Sequence, residues 1–543
     1  MSALSERAPL RAFRVDPLAL PAADVRADYR ALALKFVFAT SVIRFVCVAS
    51  VPLGNGEAYY YSWSRFLSAS YYDHPPLVAW MERFVTMFGT SLAEIRLGPI
   101  VCSAAFGLLL YRLAERLFGG RAAFLALILA TAIPVFLATS IIINPEAPLA
   151  PLWVGYLLVL EGMRERDEPF RPLLAGALLG LAFLAKYTAL LLVPTTFLYL
   201  LMSAPARRWL RRPSLYVGGL VALVVALPVL YWNVVHGWPT LRLHLVERAS
   251  VAIPVAGENT ISHLVEDAST GGSSGFERLV RLLVGQALSY SPFFAPALVM
   301  GLFRILRGSR RDDRDLFLAS FSWPVLVVLV ASMLRLKDSE QQWTMVAFIP
   351  AIIAAGRYAD EAWSSAKRFP IVGAAGVAVS ALLLALGTVH THSDVLVRMF
   401  PTHGYDPRAD MTSELAGWDQ VRASVERAAA HEAHETGGAV VLASNQYAMC
   451  ARLLVETNDS PKVYCPTERR SEFDFLDRRD PPKAATVIVL TNDIHDALPP
   501  SLEDRTCSVS DEVEVERAGR PVAHYVVRSC AKASDGGEKR ASL

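Results

Sequence analysis

Repeated apolar runs constrain this 543-residue chain more than any other feature. Crossing a bilayer takes about 20 apolar residues. Runs at 33–52, 96–114, 121–141, 147–162, 173–186, 187–203, 215–235, 283–303, 316–334, 343–358 and 369–389 reach or approach that length. They predict a polytopic α-helical membrane protein with about eleven spans. Water-soluble chains carry about 25% charged residues; here the figure is 19%, and the net charge is only +2. Such a balance leaves no concentrated basic surface for nucleic acid.

The distribution of Arg and Lys orients the spans. Short loops rich in these residues stay cytoplasmic. Arg112, Arg116 and Arg121 form one such group, Arg164, Arg166 and Arg171 a second, and Arg207, Arg208, Arg211 and Arg212 a third. Arg304 to Arg314, then Arg357, Lys367 and Arg368, complete the set. All fall on one side only if 173–203 is two segments meeting at Lys186 and Tyr187. Residues 1–31, with no cleavable signal pattern, then read as a cytoplasmic tail, and 32–392 as the membrane domain. Loops 53–95 and 236–282 face outward, the second through a flexible Gly/Ser stretch at 270–275.

Beyond about 393 the chain becomes polar. Residues 439–444, 462–465, 485–490 and 522–527 read as strands, and 413–434 and 446–456 as helices. This predicts a soluble α/β domain over 393–532 on the outer face, with a disordered tail at 533–543. It carries Cys450, Cys465, Cys507 and Cys530. An oxidising compartment favours disulfides there, and four cysteines allow three pairings. Cys47 and Cys102 lie in spans as buried thiols.

The first outer loop holds the chemistry. Tyr59, Trp63 and Phe66 recur at helical spacing, which predicts an interfacial helix, with a second over 77–88 after Pro75-Pro76. Glu57 and Asp73 bracket the first segment. A carboxylate in a half-dry setting can serve as a general base.

The segments Glu57-Ala58-Tyr59-Tyr60 and Tyr72-Asp73-His74-Pro75-Pro76-Leu77 resemble the first-loop signature of bacterial GT-C glycosyltransferases. These are relatives of protein O-mannosyltransferases and of lipid A aminoarabinose and core galacturonosyl transferases. The resemblance continues at Asn144-Pro145-Glu146-Ala147-Pro148-Leu149, Lys186-Tyr187-Thr188, Trp232-Asn233, His236-Gly237-Trp238 and Gln342-Trp343. It extends into the tail at Leu415-Ala416-Gly417-Trp418 and Ser444-Asn445-Gln446-Tyr447. It implies transfer of a sugar from a polyprenyl-phosphate donor to a lipid, glycan or protein acceptor on the periplasmic face of the bacterial inner membrane, with inversion. Many relatives have Asp-Glu where this chain has Gly56-Glu57, so either Glu57 substitutes as base or the chemistry is altered; the expectation here is Glu57 as base, with Asp73 and Glu146 placing the acceptor or holding a cation. Tyr60, His74, Lys186, Arg242 and Lys337 are the expected substrate-binding set. His74 stands where aminoarabinose-transferase relatives carry Lys. Arg83 and Arg96 are expected at lipid headgroups. Metal dependence stays open: carboxylates permit Mg²⁺ or Mn²⁺ without requiring either. The rival reading is a transporter or flippase for a lipid-linked envelope intermediate. That would call for repeated halves with broken spans and midplane charges; no repeat is obvious, and the long first outer loop is unlike a minimal carrier.

Overall fold

The computed structural model describes residues 28–165, 167–247, 275–336, 340–365, 385–400, 410–493 and 496–532, with single positions at 378, 381 and 382. The expected apolar runs become helices, but four are long and apolar enough to cross a membrane: Tyr29–Val48, Leu92–Phe118, Pro213–Val235 and Asp313–Arg335. Gly120–Ala132, Arg171–Ala185 and Tyr187–Met202 are shorter apolar helices. The expected count of about eleven spans is not reached by this measure. Local chemistry explains part of the shortfall. The run 121–141 breaks at Ile133, where Pro134 opens a new helix. The run 283–303 splits into Gly275–Ser289 and Ala295–Gly308 around Ser291, which holds φ +66°. Glu146–Glu165 has 20 residues, but Glu146, Pro151 and Glu161 dilute its apolar character. The run 369–389 lies almost wholly outside the described residues.

The helix Arg171–Ala185 ends at Lys186, whose backbone is extended. A tight turn, Tyr187–Leu191, then leads into Leu192–Met202. The Arg-bearing loops gather at one end of the bundle as a result. Arg30 bonds Glu115, Arg116 and Arg164 both reach Glu161, Arg208 caps the Met163 carbonyl, and Arg314 donates to the Leu117 carbonyl. In the bundle, Gly176 meets Gly218 so closely that a Cβ on Gly176 would sit 1.8 Å from the Gly218 carbonyl oxygen. With no hydrophobic drive between helices in lipid, such small-residue contact supplies the packing.

The C-terminal domain is a five-stranded mixed sheet: β1 Val440–Ser444, β2 Val463–Tyr464, β3 Thr486–Asn492, β4 Arg505–Arg517 and β5 Arg520–Lys532. Their spatial order is β2-β1-β3-β5-β4. β1 runs parallel to β2 and β3, while β5 is antiparallel to β3 and β4. Helices Trp418–Thr436 and Tyr447–Glu456 accompany the sheet. β4 is absent from the sequence expectations because Asp511, Glu512, Glu514 and Glu516 dominate it. It is an edge strand in which Val513 and Val515 turn inward, and such charges discourage pairing with another chain. Arg517 ties this edge back to the preceding helix through Asp394, Asp410 and the His390 carbonyl.

The cysteines pair as Cys450–Cys465 and Cys507–Cys530, which selects one of the three combinations. The first bridge spans 15 residues. Closing a loop of that size removes about 3 kcal/mol of denatured-state entropy in the chain-entropy picture. A Cys450→Ser/Cys465→Ser variant is therefore expected to lower the opening free energy of helix Tyr447–Glu456 by about 3 kcal/mol, read by native-state hydrogen exchange; unchanged protection would refute this.

Candidate active site

The first helix of loop 53–95 is packed against protein instead of lying free at an interface as expected. In the helix Asn55–Trp63 every residue from Glu57 onward is buried. Its aromatic side chains form one core with the C-terminal domain. Tyr59 meets Tyr447 edge-on at 4.7 Å between ring centroids, and Trp63 stacks on Tyr71 at 4.5 Å. Contacts of this kind add about 0.5–1.5 kcal/mol beyond burial. The second expected helix forms as Leu77–Val85. There Phe84, Met87 and Phe88 remain exposed at 62–72%, which suits a membrane interface.

Glu57 occupies a different setting from the open, half-dry one predicted for it. Its carboxylate is gripped by Arg96, with Nη2 to Oε2 at 2.6 Å and Nε to Oε1 at 3.0 Å. The Gly54 and Ile143 amides donate to the remaining lone pairs at 3.0 and 3.3 Å. Arg96, in turn, is not at headgroups but is 3% exposed. Its other N–H groups reach the carbonyls of Val48, Val51 and Pro52, so all five donors are used. A carboxylate with both oxygens committed in this way has no lone pair aimed at an incoming hydroxyl. These bonds tie Glu57 to the end of the first long helix and to the segment before Glu146.

Asp73 is held differently. Tyr59 Oη donates to Oδ2 at 2.7 Å, and Arg469 Nη2 donates to Oδ1 at 2.6 Å. Burial first, then the Asp73 charge, pushes the Tyr59 phenol well above its usual range, so it remains a donor. The Glu472 amide donates to Tyr59 Oη at 3.2 Å, and the Tyr72 amide donates to Glu472 Oε2 at 2.8 Å. Burial likewise pushes the Glu472 carboxyl far up. His244 Nε2 lies 3.1 Å from the Asp73 carbonyl, and its ring faces Tyr187 at 5.4 Å and His74 at 6.5 Å. Tyr60 packs beside His74 at 5.9 Å.

Glu146 and Lys186, expected as separate acidic and phosphate-binding groups, form a buried ion pair with each other. The Trp343 ring lies 5.9 Å from Lys186 Nζ. The three carboxylates thus sit in three distinct pairs. Arg242 is exposed on the short helix Pro239–Arg242, two residues from His244. Lys337 lies outside the described residues. Among the described residues no three His, Cys, Asp or Glu side chains converge to hold a metal ion.

Sequence reasoning missed Arg469 and Glu472, which sit in a charged loop with no periodicity. It also missed Glu82, fully buried with neither oxygen bonded among the described residues. Burial, reinforced by Glu57, holds that carboxyl well above its ordinary range. Glu414 lies against the start of the same loop, and burial raises its carboxyl to about 7 from 4.5.

Known proteins share this architecture. Residues 73–232 match the family model described as dolichyl-phosphate-mannose-protein mannosyltransferase. A lipid A galacturonosyltransferase of Rhizobium johnstonii, RgtD, is 29% identical over 402 residues, spanning 72% of this chain and 75% of that protein. The crystal structure of ArnT from Cupriavidus metallidurans in the apo state aligns with a TM-score of 0.54 at 17% identity, over 92% of this chain and 98% of its own. The same ArnT bound to undecaprenyl phosphate aligns at 0.53 and 17%, over 91% and 97%. In sequence and in fold the chain is similar to glycosyltransferases of the GT-C superfamily.

Two outcomes follow from the loop's electrostatics. Removing the Glu57 charge strands a buried guanidinium, so Glu57→Gln is expected to destabilise the protein by about 3–5 kcal/mol, measured as a lowered unfolding transition in detergent; an unchanged transition would disprove the pairing. Folded Glu414 keeps its proton where the unfolded chain has lost it. Docking of the C-terminal domain is therefore strongest below 4.5 and weakens as pH rises to about 7. Glu414→Gln should shallow that slope in a pH series of thermal unfolding, and an identical slope would contradict it.

Proposed function

We propose that this chain, GT-C-like in sequence and fold, is an inner-membrane glycosyltransferase. In this reading it moves a sugar from a polyprenyl-phosphate donor to a lipid acceptor of the lipid A type on the periplasmic face. The N-terminus is cytoplasmic and the C-terminal domain periplasmic. The named activity of the Rhizobium relative and the lipid phosphate in the ArnT structure support the donor and acceptor classes. The observation that carries the chemistry is Asp73: a carboxylate in the connection between the helices Asn55–Trp63 and Leu77–Val85, fixed by one phenol and one guanidinium.

The base role expected at Glu57 passes to Asp73. The acceptor hydroxyl loses its proton to an Asp73 oxygen as its own oxygen attacks the anomeric carbon. The bond from that carbon to the donor phosphate breaks, its electron pair leaves with the phosphate, and the anomeric configuration inverts. Tyr59 holds Asp73 by Oδ2, which leaves Oδ1, the oxygen that Arg469 caps, as the one to take the proton once that guanidinium turns away. Tyr60, His74 and Arg242 assist donor binding, while Lys186 acts indirectly by fixing Glu146 at the start of its helix. A helix start favours a carboxylate, and pairing keeps that buried charge neutralised.

The test is turnover of reconstituted protein given a polyprenyl-phosphate sugar and lipid A, followed by mass spectrometry. Losing a general base costs about 10²–10⁴-fold. Asp73→Asn is expected to fall by that range in kcat while retaining its fold. Wild-type turnover in this variant would remove Asp73 from the mechanism.

A further inference from the structure

The released phosphate needs a cation, and two buried cations beside the loop are otherwise engaged. Lys186 is closed on Glu146, and Arg96 on Glu57 and three carbonyls. The guanidinium that reaches Asp73 comes instead from the C-terminal domain. Arg469 Nη2 is 2.6 Å from Asp73 Oδ1, the side chain is 11% exposed, and its guanidinium carbon lies 4.5 Å from the Tyr447 ring centroid. Three neighbouring features hold this segment in place. Glu472 accepts the Tyr72 amide, Phe475 packs on Tyr72 and Trp232 at 5.6 and 5.1 Å, and Cys465 is bridged to Cys450 on the helix that carries Tyr447.

We propose that Arg469 is the donor's phosphate ligand and that it exchanges partners when the donor binds. This rests on the glycosyltransferase reading given above. Without donor, the guanidinium neutralises Asp73 and occupies the oxygen that must accept a proton. A phosphodiester offers two oxygens to the same planar fork, a geometry that guanidinium matches better than ammonium. As Arg469 turns to phosphate, Asp73 Oδ1 is freed. The base is thereby unmasked only when a leaving group is present, and the extra negative charge on the departing phosphate stays beside the same cation. The C-terminal domain is then part of the site, not an accessory to it.

The experiment measures binding of undecaprenyl phosphate to the full-length protein in nanodiscs containing excess anionic phospholipid, by native mass spectrometry, with undecaprenol as the phosphate-free control. Wild type is expected to bind the phosphate form. Arg469→Ala should weaken it at least ten-fold, Arg469→Lys should weaken it less, and undecaprenol should not distinguish the three. Asp73→Asn should bind more tightly than wild type, because the competing carboxylate is gone. A role limited to docking the domain would not tighten binding in Asp73→Asn. Should Arg469→Ala misfold, Arg469→Lys and Asp73→Asn still decide the matter. Equal binding by wild type and Arg469→Lys, or weaker binding by Asp73→Asn, would overturn the exchange while leaving the proposed reaction standing. Failure of wild type itself to bind would count against the reaction.

Discussion

A single buried guanidinium organises the end of this molecule that carries the candidate site. Arg96 joins the last turn of the first long helix, the Val51–Pro52 connection and the Glu57 carboxylate. Glu57 passes the constraint on to Gly54 and to Ile143, three residues before Glu146. Isolated charges in such surroundings are costly, and here every donor and acceptor is answered. The pair therefore does for this loop what a hydrophobic core does elsewhere, and with direction. It sets where the Asn55–Trp63 helix begins, and so where Tyr59 presents its hydroxyl to Asp73.

Much of the fold is legible in the sequence because membrane segments and strands announce themselves through periodicity. The break at Lys186 could be found because one unbroken helix would have placed the Arg207–Arg212 group on the wrong side. Helix length was harder to read. Ser291 and Pro134 interrupt runs that look continuous in hydropathy, and Glu146, Pro151 and Glu161 dilute a third. The β4 edge was invisible because its period-two pattern is carried by charges with few apolar partners.

The site residues were recognisable as residues but not as partners. Glu57, Asp73, Glu146 and Lys186 stood out by type and position, yet pairing decides their chemistry, and pairing is a long-range property. Glu57 is matched with Arg96, 39 positions away, and Asp73 with Arg469, 396 positions away. No local pattern encodes either distance. The aromatic side chains misled for a related reason. Tyr and Trp suit a membrane interface and a protein interior alike, and here a second domain covers them.

That separation bears on how the molecule comes into being. Chains grow at about 5–20 residues per second, so the partner of Asp73, 396 positions downstream, emerges about 20–80 s after it. During that interval the tyrosines and tryptophan of the first outer loop have been inserted but lack the surface that finally covers them. The newborn protein must tolerate, or have guarded, an unfinished aromatic patch at the membrane until its last segment arrives to close it.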